Sequence, residues 1–222
     1  MEIVPGLHAV PLRRVRVHLI CEDRISLVDA GLPGSRGALE RYLARIGRSL
    51  DELDTIVSTH GHPDHIGGAR ELARDDATVY LHPADLPGVH LGLLDALRRP
   101  SRGRLFGWLT RAPARTSPLR DGQMLPILGG LQVVHTPGHT PGSVCLYAHR
   151  DRLLFVGDAL QARWGRVGFA SRPFSEDMAA AKASVQRLAE LDVKTIVFSH
   201  FPPWADDANG VLRRLADQAA GR

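Results

Sequence analysis

The sequence predicts an α/β protein in which two β-sheets pack together with helices outside. Three observations lead there. Short apolar runs rich in β-branched residues, punctuated by Pro, Gly and charge, read as strands. Between them lie stretches whose apolar residues recur at helical spacing. The two halves of the chain also repeat one order, strands and then helices, which suits two sheets each covered on its outer side. A length of 222 residues fits one domain with a sizeable core, taken as residues 1–222.

The elements follow in chain order. "LHAVPL", "RVHLICED" and "RISLVDAG" read as antiparallel strands. In "GSRGALERYLARIGRSL" the residues Leu39, Tyr42, Leu43 and Ile46 share one face of a helix. "DTIVSTH" is a buried strand, "HIGGARELARD" a helix starting just after it, and "ATVYLHP" a further strand. Residues 86–120 interrupt the pattern with seven arginines, four prolines and a single acid, Asp95. That is too long for a simple connection, so an insertion with some helix is expected, serving as a lid or substrate-binding element or as a solvated decoration. Beyond it, "LQVVHT", "SVCLYAH", "RLLFVGDA" and "KTIVFSH" read as strands. "SEDMAAAKASVQRLAELD" reads as a helix capped by Ser175, with Met178, Ala181, Val185 and Leu188 on one face. A short helix closes the chain.

Composition narrows the function classes. No run reaches the ~18 apolar residues of a membrane span. Glu2 stands where a secretory signal would carry positive charge, so a cytoplasmic protein is expected. The net charge of +4 rests on 26 Arg and 2 Lys and is too modest to argue for nucleic acid, leaving a small-molecule partner as the expectation. Cys21 and Cys145 form no CxxC and lie in strand-like runs, so both are expected to be buried thiols.

The chemistry concentrates in "STHGHPDHIGG", Ser58 to Gly68, which holds three histidines and an aspartate within six residues. In an extended segment, side chains two apart point to one side, so His60 and His62 can share one metal ion. Gly61 permits a tight turn and Pro63 stiffens it. Asp64 and His65 then face a second ion or a bound water. Imidazole and carboxylate donors suit Zn(II), Mn(II) or Fe, and without thiolates a Cys-type structural zinc site is not expected. Three further segments place donors at strand ends: "TPGHTPGS" with His139, "GDA" with Asp158 and "SH" with His200. The isolated His8, His18, His90 and His149, and also His82 and His135, read as structural or surface residues. Trp164 and Phe169, just beyond Asp158, are candidates for a pocket wall or for core packing, as are Leu105, Phe106 and Trp108 in the insertion.

"THGHPDHIGG", followed in order by "PGHTPGS", "VGDA" and "FSH", resembles the metallo-β-lactamase-fold hydrolases from about Val28 to His200. The resemblance implies a four-layer αββα sandwich and two divalent ions, zinc first and iron or manganese as alternatives. It implies that His60, His62 and His139 hold the first ion and Asp64, His65 and His200 the second, with Asp158 bridging both. Asp29, in "LVDAG", would support the site by hydrogen bonding near the ligands. The implied activity is a dinuclear hydrolase in which a metal-bridging hydroxide cleaves an ester, thioester or lactone, with Asp64 as the catalytic group that orients the water and takes its proton. Asp158 and the complete ligand set resemble the glyoxalase II and lactonase side of the superfamily. With 22 residues after His200, glutathione recognition through a long C-terminal helical region is not expected. A mononuclear-iron persulfide dioxygenase and a ribonuclease or phosphodiesterase are the alternatives that similar motifs permit.

Overall fold

The computed structural model describes residues 1–89 and 116–221. Most of the expected insertion, with Asp95, Leu105, Phe106, Trp108 and all its arginines but Arg120, lies outside the described residues, as does His90. The chain divides into two compact units, Met1–Leu119 and Arg120–Arg222. Each pairs sheet with helix, as the α/β reading requires.

The first unit carries a seven-stranded sheet whose strands lie in chain order: β1 (Glu2–Val4), β2 (Leu7–Pro11), β3 (Arg16–Cys21), β4 (Ile25–Val28), β5 (Leu53–Val57), β6 (Thr78–Leu81) and β7 (Ser117–Pro118). The first four pair antiparallel, as their short polar connections predict. From β4 onward the pairing is parallel, and each step needs a crossover. Helix α1 (Arg36–Arg45) provides the first of these. Its Leu39 and Leu43 lie one turn apart and are fully buried, joining a core that takes alternate residues from the strands, such as Val17 and Leu19, Ile25 and Leu27, and Val79 and Leu81. Tyr42 and Ile46 flank that stripe, half-buried.

The crossover from β5 to β6 differs from the sequence expectation. The helix begins inside the histidine motif, with Pro63 at its first position, and breaks into α2 (Pro63–Ile66) and α3 (Ala69–Leu72). The interruption at Gly67–Gly68 comes from the backbone of Ala30–Gly31, which approaches so closely that a Cβ on Gly68 would run into the carbonyl oxygen of Ala30. The close approach is held by hydrogen bonds from the Ala30 N–H to His65 O (2.6 Å) and from the Gly68 N–H to Gly31 O (2.8 Å). "LVDAG" and "HIGG" are thereby stitched together. A short helix, α4 (Leu86–Val89), follows β6.

In the second unit a five-stranded sheet has the order β14-β11-β10-β9-β8, built from β8 (Met124–Leu125), β9 (Leu131–His135), β10 (Val144–Ala148), β11 (Leu153–Phe155) and β14 (Thr195–Val197). The pairs are antiparallel except β11 with β14. That parallel crossover contains a hairpin, β12 (Leu160–Arg163) with β13 (Arg166–Phe169), and helix α5 (Met178–Leu188). Val185 and Leu188 pack with Cys145, Tyr147, Leu154 and Ile196, and with Leu212 and Leu215 of α6 (Ala208–Ala219). This last helix has twelve residues, longer than the short closing element expected.

Three local expectations are corrected. The cap of α5 is Asp177, whose carboxylate accepts from the N–H groups of Ala179 and Ala180 at 2.8 and 2.9 Å, and Ser175 turns elsewhere. Cys21, the last residue of β3, is only half-buried, whereas Cys145 is fully buried. Burial pushes the Cys21 thiol up, and it pushes that of Cys145 up to about 12. Trp164 is not a core residue. It occupies the two-residue turn of the β12–β13 hairpin with Gly165, both at positive φ, and is 93 % exposed. Phe169 does pack on the second unit's core, with the Lys182 ammonium 5.7 Å from its ring centre. None of the described helices is long and apolar enough to cross a membrane.

Candidate metal centre

Parallel pairing sets the donor cluster of the first unit. Val28 is in register with Val57, and Val57 with Tyr80, so the residues that follow emerge along one edge. The Asp29 N–H bonds to Val57 O and the Ser58 N–H to Tyr80 O, both at 3.0 Å, carrying the ladder one step beyond the strands. Carboxyl ends of parallel strands are where α/β sheets present functional groups. Here they present Asp29, then Thr59 and His60, then His82 and Asp85.

Asp29 is fully buried with φ of 63°, a left-handed conformation that Asp tolerates better than most residues. One carboxylate oxygen accepts from the Thr59 N–H and hydroxyl, each at 2.9 Å. The other faces His65 Nδ1 at 2.8 Å. A carboxylate can only accept, so His65 Nδ1 carries a proton and Nε2 keeps its lone pair. Nε2 is directed towards Asp64 Oδ2, 3.9 Å away. His60 Nδ1 contacts Thr59 Oγ1 at 3.1 Å, which turns its Nε2 towards His62 Nδ1 at 3.0 Å. Donor atoms of His60 and His62, of His60 and His65, and of Asp64 and His65 lie within 4.8 Å of one another. The support for Asp29 read from the sequence is therefore realised through His65 and Thr59.

Asp85 was not singled out from the sequence. It is buried, and its carboxylate accepts from the Gly61 N–H at 2.7 Å, pinning the turn between the first two histidines. A Cβ on Gly61 would approach the Asp85 Cβ to 3.1 Å, so glycine fits there for reasons of space. The signal in the sequence was an acid a few residues beyond "YLH", which single-chain reading could not tell from a surface aspartate.

The second unit gathers His139, Asp158 and His200 at one end of its own sheet. Phe155 pairs with Val197, and the Val156 N–H bonds to Val197 O at 3.0 Å. Asp158 and His200 each lie three residues past that pair, on adjacent chains. His139 stands in the connection between β9 and β10. The Asp158 carboxylate divides its oxygens, with Oδ2 at 3.5 Å from His139 Nε2 and Oδ1 at 3.3 Å from His200 Nε2.

The donors fit divalent metal. Two imidazole nitrogens meet at 3.0 Å only with a proton or a cation between them. His60, His65 and His139 each turn Nδ1 to a protein oxygen and direct Nε2 at another candidate donor, an arrangement that suits metal-binding histidine. The set is nitrogen and oxygen throughout, suiting Zn, Fe or Mn. Burial is graded: His60, His65 and His139 are almost completely enclosed, while the side chains of Asp64, Asp158 and His200 are 31, 20 and 25 % exposed. In each unit the enclosed imidazoles are shielded from water, and the more open groups are those a reactant can reach. Histidines read as structural behave so: His8 meets the Tyr42 hydroxyl, His82 caps Ala84 N–H, and His135 and His149 contact Pro141 O and Gln132 Oε1.

A family model of the metallo-beta-lactamase superfamily matches residues 12–200, and the chain belongs to that superfamily. It is 29 % identical to a probable metallo-hydrolase of Bacillus subtilis, YflN, over 91 % of this chain and 86 % of that protein. A hydroxyacylglutathione hydrolase of Pseudomonas paraeruginosa is 30 % identical over 79 % of this chain but 55 % of its own length, so the chain spans about half of that relative. Among solved structures, a metallo-beta-lactamase family protein of Thermus thermophilus superposes with a TM-score of 0.80 at 28 % identity, covering 99 % of this chain and 81 % of that one. A protein solved in a di-iron-bound form, TTHA1623, gives 0.68 at 30 % identity, over 94 % and 98 %. The fold is the metallo-β-lactamase type that the motifs implied, and the chain is a metallo-hydrolase of that superfamily.

Proposed function

We propose that residues 1–222 act as one dinuclear metallo-hydrolase domain that cleaves an ester, thioester or lactone bond of a small molecule. In this reading His60, His62 and His139 hold one divalent ion, Asp64, His65 and His200 a second, and Asp158 both. The observation that carries the reading is the Asp158 carboxylate, whose two oxygens face different histidines at 3.5 and 3.3 Å. A carboxylate serving one ion has no need of that division. The di-iron form of a solved relative supports two ions, and the hydroxyacylglutathione hydrolase relative supports a thioester or ester. Zinc is the first choice of metal for this donor set, with iron the alternative.

When bound, the two ions supply acidified water near neutral pH and a Lewis acid for the carbonyl oxygen. The protein's own part is positional and protonic. Asp29 and Thr59 fix the rings of His65 and His60 before any substrate arrives, so no reorganisation accompanies the reaction. Asp64, 31 % exposed, orients the attacking water through a carboxylate oxygen, takes its proton there and returns one to the leaving group. No Ser, Cys or Lys nucleophile is required, and the buried Cys145 thiol, pushed up to about 12, is unsuited to be one.

The test is metal quantification on purified protein coupled to a panel of thioesters, lactones, esters, phosphodiesters and a β-lactam. Two equivalents of metal and turnover of the first three classes are expected. One equivalent of iron with oxygen-dependent persulfide oxidation, or turnover confined to phosphodiesters, would replace the proposal.

A further inference from the structure

We infer that Ser175 is a positioning residue for His139, holding its imidazole with the proton on Nδ1 so that Nε2 is the atom offered to metal. The inference rests on the reading above that His139 is a ligand. All the groups involved lie within the second unit. Ser175 Oγ donates to Ser171 O at 2.8 Å and lies 3.2 Å from His139 Nδ1. A hydroxyl has one proton, and a carbonyl oxygen can only accept. With its proton committed to Ser171, Ser175 meets the imidazole as an acceptor, and the hydrogen between them belongs to Nδ1. His139 Nε2 is left facing Asp158 Oδ2.

The backbone holds Ser175 in place for this. The Glu176 N–H bonds to His139 O at 3.1 Å and the Asp177 N–H to Gly138 O at 2.9 Å, so the segment before α5 is laced to the loop that carries the ligand. Gly138 has φ of 137°, and a Cβ there would run into the backbone of Ala181 at the start of α5. The approach is close enough that only glycine is accommodated. One turn further along α5, Ser184 Oγ donates to Pro137 O at 2.8 Å, bracing the same loop without touching the imidazole. Ser175 thus takes on for His139 the task that Asp29 has for His65, with a neutral acceptor in place of a charged one.

Two measurements on the full-length protein test this. The first is the ¹⁵N spectrum of histidine in protein stripped of metal. His139 should be the Nδ1–H tautomer in the wild type and lose that preference in Ser175→Ala. The second is zinc titration against a chromogenic chelator. Ser175→Ala should weaken one of the two ions roughly tenfold to a hundredfold, the usual cost of removing a ligand's supporting partner. Ser175→Thr keeps the hydroxyl and should restore most of that loss. Ser184→Ala loosens the same loop and should lower Tm while leaving zinc affinity unchanged. Wild-type affinity in Ser175→Ala, an equal loss in Ser184→Ala, or no rescue by threonine would overturn the inference, as would an Nε2–H tautomer in the wild type. A wild type that takes up no metal would defeat the dinuclear proposal instead, and the tautomer measurement would still decide the role of Ser175.

Discussion

Replacing Asp29 by asparagine separates holding the fold from preparing His65 as the ligand proposed above. The amide oxygen of the new side chain can still accept from the Thr59 N–H and hydroxyl, the two 2.9 Å bonds of the native carboxylate. Asparagine also tolerates the left-handed φ of 63°. What changes is the atom 2.8 Å from His65 Nδ1: a carboxylate oxygen becomes an amide NH₂. Two donors then oppose each other. His65 relieves the conflict by moving its proton to Nε2, the nitrogen assigned to the second ion, or by turning its ring away. Either route sacrifices a hydrogen bond involving a charged group, about 1.5–3 kcal/mol. At 1.4 kcal/mol per factor of ten, that weakens the second ion by roughly ten- to a hundredfold. Unfolding in urea should shift far less than in Asp29→Ala, which strands three buried donors at about 1–3 kcal/mol each. The assay is zinc stoichiometry by native mass spectrometry with chelator competition, alongside the urea curves. If Asp29→Asn binds two ions with wild-type affinity, the assignment of His65 Nε2 as a ligand through Asp29 is wrong.

Other outcomes follow from the same geometry. His60→Ala or Asp158→Ala should abolish turnover and lower bound metal, read by elemental analysis, and full turnover in the double variant would defeat the hydrolase proposal. Asp85→Ala removes the acceptor of the Gly61 N–H and should cost about 1–3 kcal/mol, seen as a lower Tm even in metal-free protein. At Asp121, burial favours the neutral acid, but hydrogen bonds from the His135 N–H and the Arg187 guanidinium outweigh it and hold the carboxyl below its usual range. A lowered folded value means that this contribution is complete above about pH 3.9, the ordinary Asp value, and is lost as pH falls further. The pair is half-exposed, so the loss should be only about 0.2–1 kcal/mol, measured as a shallower acid slope of stability in Asp121→Asn.

The sequence disclosed what periodicity and local chemistry encode. Alternating residues such as Val17 and Leu19, and the turn-spaced Leu39 and Leu43, announced their elements because burial acts on every one of them. The ligand candidates were legible for a different reason. Each stands just past an apolar run, where a polar cluster has no structural excuse. Effects of partners remote in the chain were hidden. The break of the expected helix at Gly67–Gly68 depends on Ala30 more than thirty residues earlier, and the turn of Ser175 away from capping depends on His139. Asp85 was missed on the same ground, since its partner is the backbone of Gly61. Trp164 shows the converse: an aromatic beside a motif suggests a wall, yet turn geometry, with two positive φ angles in succession, carries it into solvent.

The equal offset of Asp158 and His200 from a single paired rung has an engineering consequence. Their spacing is set by strand register, and not by the length of the connection between β11 and β14. Of that stretch, α5 is tied to the loop of His139, but the Leu160–Phe169 hairpin pairs only with itself. Leu160 and Phe169 anchor it to the core, but its Trp164–Gly165 turn faces solvent, and there a designer can graft or randomise sequence while Asp158 and His200 stay where the sheet puts them.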